Sequence, residues 1–318
     1  MAAPAQLADR VRAGDRRALA RALSLVDDQS ADGRALVAAL YPHAGRGWTL
    51  GVTGPPGAGK STLVDRLASA LRARGESIGI LAVDPTSPFT GGALLGDRIR
   101  MQSHAGDDGV FIRSMATRGH LGGLSRATAD AVVVLAASGR DCVIIETVGV
   151  GQAEVDVART ADICIVTLVP GTGDDVQALK AGIMEVADVF VVNKADREGA
   201  DRLAGSVEAM LALAEARGGW VPPVLKTEAT RGVGVDALVA AIDGFLASQS
   251  ERIEARRLER SGHRLRSLLT GAFLERVDRA LAPGELDAIV ATLTRRETDP
   301  YTAAAALVRR VCGAGDQG

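Results

Sequence analysis

Residues 54–61 read GPPGAGKS, and Thr62 follows. A glycine, four residues, a second glycine, a lysine and a serine make the spacing of a phosphate-binding loop. The flanks agree. Residues 48–53 (WTLGVT) are a short apolar run suited to a buried strand, and residues 60–73 carry apolar positions at helical spacing. Between a strand and a helix, Gly54, Gly57 and Gly59 let the backbone curl so that main-chain N–H groups point at phosphate oxygens. The helix N-terminus adds a partial positive charge. Gly54, Pro55, Pro56, Gly57, Ala58, Gly59, Lys60, Ser61 and Thr62 are therefore the expected nucleotide cradle. Within it Lys60 is expected to reach the β- and γ-phosphates, and the Ser61 hydroxyl to bind Mg²⁺.

Working outward, the same alternation continues. Strands are expected at 77–83, 110–114, 141–145, 163–169, 188–192 and 221–225, and helices at 123–138, 174–186, 201–217 and 234–248. That order predicts an α/β fold of the phosphate-loop nucleotidase type: a mostly parallel sheet with helices on both faces. The nearly continuous apolar strands fit burial on both sides. Leu7, Val11, Leu19, Ala22, Leu23 and Val26 predict two or three helices in an N-terminal arm, residues 1–47. At about residue 249 the composition changes to QSERIEARRLERSGHRLR, followed by an amphipathic run that Pro283-Gly284 and Asp299-Pro300 interrupt. The expected organisation is an arm (1–47), a nucleotide-binding domain (48–248) and a helical C-terminal extension (249–318).

A second motif addresses the base. Residues 193–196 read NKAD, directly after the expected strand 188–192. The Asp196 carboxylate can accept from guanine N1–H and the exocyclic amine, which adenine does not offer in that geometry. A buried carboxylate awaiting those donors rejects the analogue that lacks them. Asn193 would tie its loop to the phosphate loop, and the Lys194 stem would cover the base plane. Thr227-Glu228-Ala229, after the next strand, is either a base-edge loop or a plain strand-to-helix connection.

Candidates for hydrolysis follow other strands. Glu146-Thr147-Val148-Gly149 ends the strand 141–145. Gly149 can offer its N–H to the γ-phosphate, and Glu146 can reach Mg²⁺ through water or orient the attacking water. Gln152 is a second candidate for that water, or a solvated helix start. Asp84 and Asp97 are candidate Mg²⁺ ligands, since Mg²⁺ takes one or two carboxylates beside phosphates and water; the alternatives are a turn start and a helix cap. Residues 171–175 (GTGDD) with Lys180 suggest a third switch, or a helix capped by Asp174. In RGHLGGL (118–124), Arg118 and His120 face either a nucleotide, a partner or solvent. The chain has only four lysines, Lys60, Lys180, Lys194 and Lys226, and each falls in or beside one of these loops.

Composition narrows the class. Lys plus Arg total 37 against 39 acids, a net charge of -2, which does not favour a nucleic-acid partner. No run approaches the ~18 apolar residues of a membrane span, and Asp9 and Asp15 among the basic residues of the N-terminus, with no serine before Ser24, argue against a leader peptide. Three scattered cysteines fit a reduced cytoplasmic setting.

Residues 50–245, through GPPGAGKST, LAVDPTSPFTGGALLGDRIRM, RGHLGGLS, ETVGVGQ, PGTGDDVQALKAGIMEVADVFVVNKAD and TEATRGVGV, resemble the MeaB/ArgK family of SIMIBI-class GTPases. That resemblance implies binding and hydrolysis of GTP to GDP with Mg²⁺. It also implies a chaperone of adenosylcobalamin-dependent methylmalonyl-CoA mutase that protects the mutase and gates cofactor loading, and a homodimer formed through C-terminal helices. A related acyl-CoA mutase as client, or a metal-insertion GTPase, stands as the alternative. The latter class carries a His- or Cys-rich tract, whereas His43, His104, His120 and His263 are dispersed here.

Overall fold

Apolar residues in the strand runs repeat on both faces, so each strand must be covered twice. The computed structural model shows how. It describes residues 4–45, 47–84, 102–104, 106–116, 126–147, 157, 160–171, 185–213 and 219–313. Seven strands form one sheet: β1 (Trp48–Thr53), β2 (Ile78–Asp84), β3 (Val110–Ala116), β4 (Cys142–Thr147), β5 (Ile163–Leu168), β6 (Val189–Asn193) and β7 (Val224–Thr227). Their order is β3-β2-β4-β1-β5-β6-β7, and every pairing is parallel. Strands β4, β5 and β6 are buried along their whole length.

Alternation along the strands sorts the core. Ile78, Ile80, Leu50, Val52, Ile144, Ile165 and Val191 face α4 (Lys60–Ala73) and α7 (Val235–Ser248), meeting Leu63, Leu67, Leu238, Ile242 and Phe245. The other face divides. Leu81, Phe111 and Val143 pack with α5 (Arg126–Ala137) and with three N-terminal helices, α1 (Pro4–Arg12), α2 (Arg16–Asp27) and α3 (Ala31–Leu40). Cys164, Val166, Phe190 and Val192 pack against α6 (Ala200–Leu213) through Leu203 and Val207. The six arm residues singled out by helical spacing are all buried. Asp15 and Ser30 cap α2 and α3 by accepting backbone N–H bonds, which explains why the arm breaks where it does.

Two compact units result, Met1–Arg256 and Arg257–Gly318. The first ends on an ion-pair cluster beneath β5 and β6. Asp188, fully buried, accepts from Arg256 Nη1 at 2.6 Å and Nη2 at 2.9 Å, and from the Cys164 N–H at 2.9 Å. Arg252 Nη2 lies 2.9 Å from the same carboxylate. Both guanidinium groups also lie over the Phe245 ring, and Trp220 meets that ring edge-on. These arginines open α8 (Ser250–Ala280), a helix of 31 residues. The second unit contains the rest of α8 with α9 (Glu285–Thr294) and α10 (Pro300–Gly313). There Arg310 pairs with Glu285 and donates to the Ala280 carbonyl, and Val277 and Val311 are buried. Pro283-Gly284 and Asp299-Pro300 separate the helices as the sequence predicts, with Asp299 accepting the Tyr301 and Thr302 N–H groups.

Burial lifts the Cys142 and Cys164 thiols well above their ordinary range, so both are chemically quiet; Cys312 is exposed on α10. Among the described residues, no helix is long and apolar enough to cross a membrane.

Candidate functional site

The C-terminal ends of β1, β4, β5 and β6 point to one edge of the sheet, where strand order reverses about β1. Open α/β sheets bind ligands at such an edge. The loop 54–59 rises from β1 and opens α4, with positive φ at Gly54 (137°), Gly57 (77°) and Gly59 (85°). Two of these glycines are also required by close neighbours. A Cβ on Gly54 would stand 2.0 Å from the Thr167 carbonyl oxygen, and one on Gly59 would stand 2.5 Å from Asn193 Nδ2. Lys60 is buried at the head of α4, and its ammonium donates to the Gly54 and Pro55 carbonyls at 2.8 and 2.9 Å. Pro56 and Gly57 are exposed, Ala58 is buried, and Pro55, Gly59 and Thr62 are half-buried.

Beside this loop the Ser61 hydroxyl donates to Glu146 Oε1 at 2.5 Å, and both residues are buried. Glu146 lies near the end of β4, in register with Val52 of β1 and Ala82 of β2. Asp84 ends β2 one position past the Val83–Thr147 pairing, so it reaches the same edge. Thr147 Oγ1 donates to Thr53 Oγ1 at 3.1 Å, joining β4 to β1 directly under the loop. The expectations for Asp97, Gly149, Gln152, Lys180, Arg118, His120 and Asp174 fall outside the described residues, as does the side chain of Asp84.

The NKAD turn sits against the phosphate loop. Asn193, buried at the end of β6, donates from Nδ2 to the Ala58 carbonyl at 2.8 Å. Its Oδ1 accepts from Thr227 Oγ1 at 3.0 Å and from the Ala229 N–H at 3.1 Å. One side chain thus holds three loops. Lys194 occupies the left-handed region (φ 57°) and its ammonium crosses to the Gly57 carbonyl at 2.7 Å. Ala195 N–H donates to the Thr227 carbonyl at 3.0 Å. Thr227 is buried, and the Glu228 carboxylate pairs with Arg231 at 2.8 Å. Asp196, three residues past the end of β6, is exposed in the turn that follows, unlike the buried carboxylate expected from sequence. Lys226 turns outward to Asp201 at 2.7 Å; that contact raises the lysine pKa and lowers the aspartate's.

Sequence reading missed one contact. Arg66, on α4, donates from Nε to the Ala229 carbonyl at 3.1 Å and from Nη2 to the Thr230 carbonyl at 2.9 Å. An arginine on the outward side of a helix gives no advance sign of such a role.

A glycine-rich loop gripping the start of α4, cross-braced by an Asn-Lys-Ala-Asp turn, defines a phosphate-loop GTPase. The family model "Methylmalonyl Co-A mutase-associated GTPase MeaB" matches residues 19–282. The chain belongs to that MeaB family and is a GTPase that binds guanine nucleotide. A Pyrococcus abyssi protein named only as a GTPase is 46% identical over 315 residues, covering 98% of this chain and 97% of its own. The mouse protein named methylmalonic aciduria type A homolog, mitochondrial, is 37% identical over 240 residues, 70% of this chain and 58% of its own. A crystal structure titled LAO/AO transport system kinase superposes with a TM-score of 0.72 at 29% identity, covering 96% of each chain.

Proposed function

We propose that this GTPase is a chaperone of an adenosylcobalamin-dependent methylmalonyl-CoA mutase, protecting the mutase from inactivation and gating its cofactor loading. The nucleotide half rests on one observation: the Asn193 side chain binds the phosphate loop, its own turn and the 227–229 loop together. The client half is supported by the family's description and by the name of the mouse relative. A related acyl-CoA mutase is the alternative client.

In this reading the amides of residues 54–62 and the Lys60 ammonium cradle the phosphates. Asp196 reads the guanine edge, a base seated there would cover its exposed carboxylate, and Thr227, Glu228 and Ala229 border the base. The buried Ser61–Glu146 pair, with Asp84 at the adjacent strand end, is an oxygen donor set of the kind Mg²⁺ selects. Ser61, Glu146 and Asp84, together with Asp97, would hold that ion, whose chemistry is neutralisation of phosphate charge. Phosphoryl transfer asks the protein for positioning and electrostatics rather than covalent chemistry. Glu146 or Gln152 orients the attacking water, Gly149 senses the γ-phosphate through its N–H, and Lys180 belongs to a further switch loop. The 249–318 extension serves as the homodimer contact, a role supported by exposed Leu258, Leu265, Leu269, Leu286 and Val290. A cytoplasmic setting fits the two buried free thiols.

Phosphate release measured with and without added mutase tests the coupling. Acceleration of at least about tenfold is expected if the client orders the switch loops. An unchanged rate, with no mutase retained on protein loaded with a non-hydrolysable GTP analogue, overturns the client reading and leaves the GTPase intact. Lys60→Ala should abolish release in either case.

A further inference from the structure

We propose that Arg66 is a positioning residue for the guanine pocket: it fixes the 227–231 loop at a set distance from the phosphate loop. This rests on the reading that the loop borders the base. Its guanidinium presents two N–H groups along one edge, and they engage two consecutive carbonyls, Ala229 at 3.1 Å and Thr230 at 2.9 Å. A planar fork suits adjacent acceptors; a lysine ammonium would engage them as a point charge.

What Arg66 holds gives the contact its meaning. Residues 229–231 form a single 3-10 turn, closed by left-handed Gly232 (φ 75°) and Gly234 (φ 79°). The Glu228 N–H donates to the Val233 carbonyl at 3.0 Å, so the loop is a small closed unit. Ala229 is then gripped from both ends: its N–H by Asn193 Oδ1, its carbonyl by Arg66. Asn193 in turn donates to Ala58, one residue before Gly59 opens the helix that carries Arg66. The contacts close a ring from α4 through the base loop and Asn193 to the phosphate loop and back to α4. A bound nucleotide spans that ring, with phosphates at Gly57–Ser61 and the base near Thr227–Ala229. Without Arg66 the Ala229 and Thr230 carbonyls lose their tie to α4, and the loop is held at its start alone, by Asn193 and by the Ala195 N–H bond to Thr227, so the distance of its far side from the phosphate loop relaxes. Base affinity is then lost while the phosphate grip remains.

Arg66→Ala keeps a strong helix former in α4, so the fold is spared and the melting temperature stays within about 2 °C, less than about 1 kcal/mol would shift a domain of this size. GDP affinity should fall about tenfold, because a loosened loop must be ordered again when the base binds. Competition by pyrophosphate, which needs only the phosphate loop, should stay within about twofold, and Arg66→Lys should recover part of the GDP loss. In turnover the KM for GTP should rise with little change in kcat. Unchanged GDP affinity, or equal weakening of GDP and pyrophosphate, overturns the proposal. Asp196→Asn separates it from the reading beneath it. If that variant keeps the preference for GDP over ADP, the guanine-site assignment itself fails. If the preference is lost while Arg66→Ala binds GDP like the parent protein, only the positioning role fails.

Discussion

Replacing Arg256 by alanine should destabilise the first unit by about 3 kcal/mol, for reasons that can be followed atom by atom. Asp188 has no exposed surface, so its charge depends on protein partners. Arg256 supplies two of its bonds, and removal leaves Arg252 on one oxygen and the Cys164 N–H on the other. Breaking a buried pair by deleting one partner costs about 3–5 kcal/mol, and the surviving Arg252 places this case at the lower end. The substitution also removes the donor to the Asp162 carbonyl and the guanidinium over Phe245. For a unit of this size about 3 kcal/mol corresponds to a fall of about 6–12 °C in melting temperature, readable by circular dichroism. Asp188→Asn leaves both guanidinium groups without their carboxylate and turns an amide N–H₂ toward N–H donors, so it should cost at least as much. The double variant should be milder than the sum of the singles, with a coupling of at least about 1 kcal/mol. A fall below about 2 °C for Arg256→Ala, or strict additivity, would mean that water reaches the carboxylate and the reasoning fails.

Asn193→Ala should lower GDP affinity more than tenfold and cost at least about 2 kcal/mol of stability, since the Thr227 hydroxyl and Ala229 N–H are left buried without their acceptor; titration calorimetry and a melt of the same sample check both. Gly59→Ala forces a side chain into the left-handed region and against Asn193 Nδ2, so about 1–2 kcal/mol of strain should accompany a loss of nucleotide binding, and normal GDP affinity would refute the close approach. Arg72 holds the Asp107 carboxyl at about 2, below its usual 3.8, with the Gly109 N–H assisting. A depressed carboxylate stabilises the fold above its unfolded value and loses that contribution as pH falls through the folded one. Melting temperatures of Asp107→Asn and parent protein should therefore differ near neutrality and converge below about 2; a constant gap counts against the pair.

Much of this was legible because the physics involved is local. Helical spacing in the arm and apolar strand runs report burial directly, and breakers such as Pro283-Gly284 mark helix ends wherever they occur. The phosphate loop and NKAD turn are legible for the same reason: their glycines and amides must follow one another in the chain. Apart from the Asn193 tie to the phosphate loop, which the motif itself announces, partners far apart in sequence were not. Arg252, Ile253 and Arg256 sit in a stretch that reads as uniformly charged, yet their spacing puts them on one helical face against Asp188, 68 residues upstream of Arg256. Arg66 meets Ala229 across 163 residues, and nothing in DRLAS announces it. Asp196 illustrates the opposite case: the motif names the residue, but the turn that carries it leaves the carboxylate exposed.

The unequal depth of the three thiols has a practical corollary. With Cys142 and Cys164 sealed inside the sheet and Cys312 alone at the surface, a maleimide dye added to the native protein should attach at one place. The C-terminal unit therefore carries its own spectroscopic handle, with no engineered substitution required.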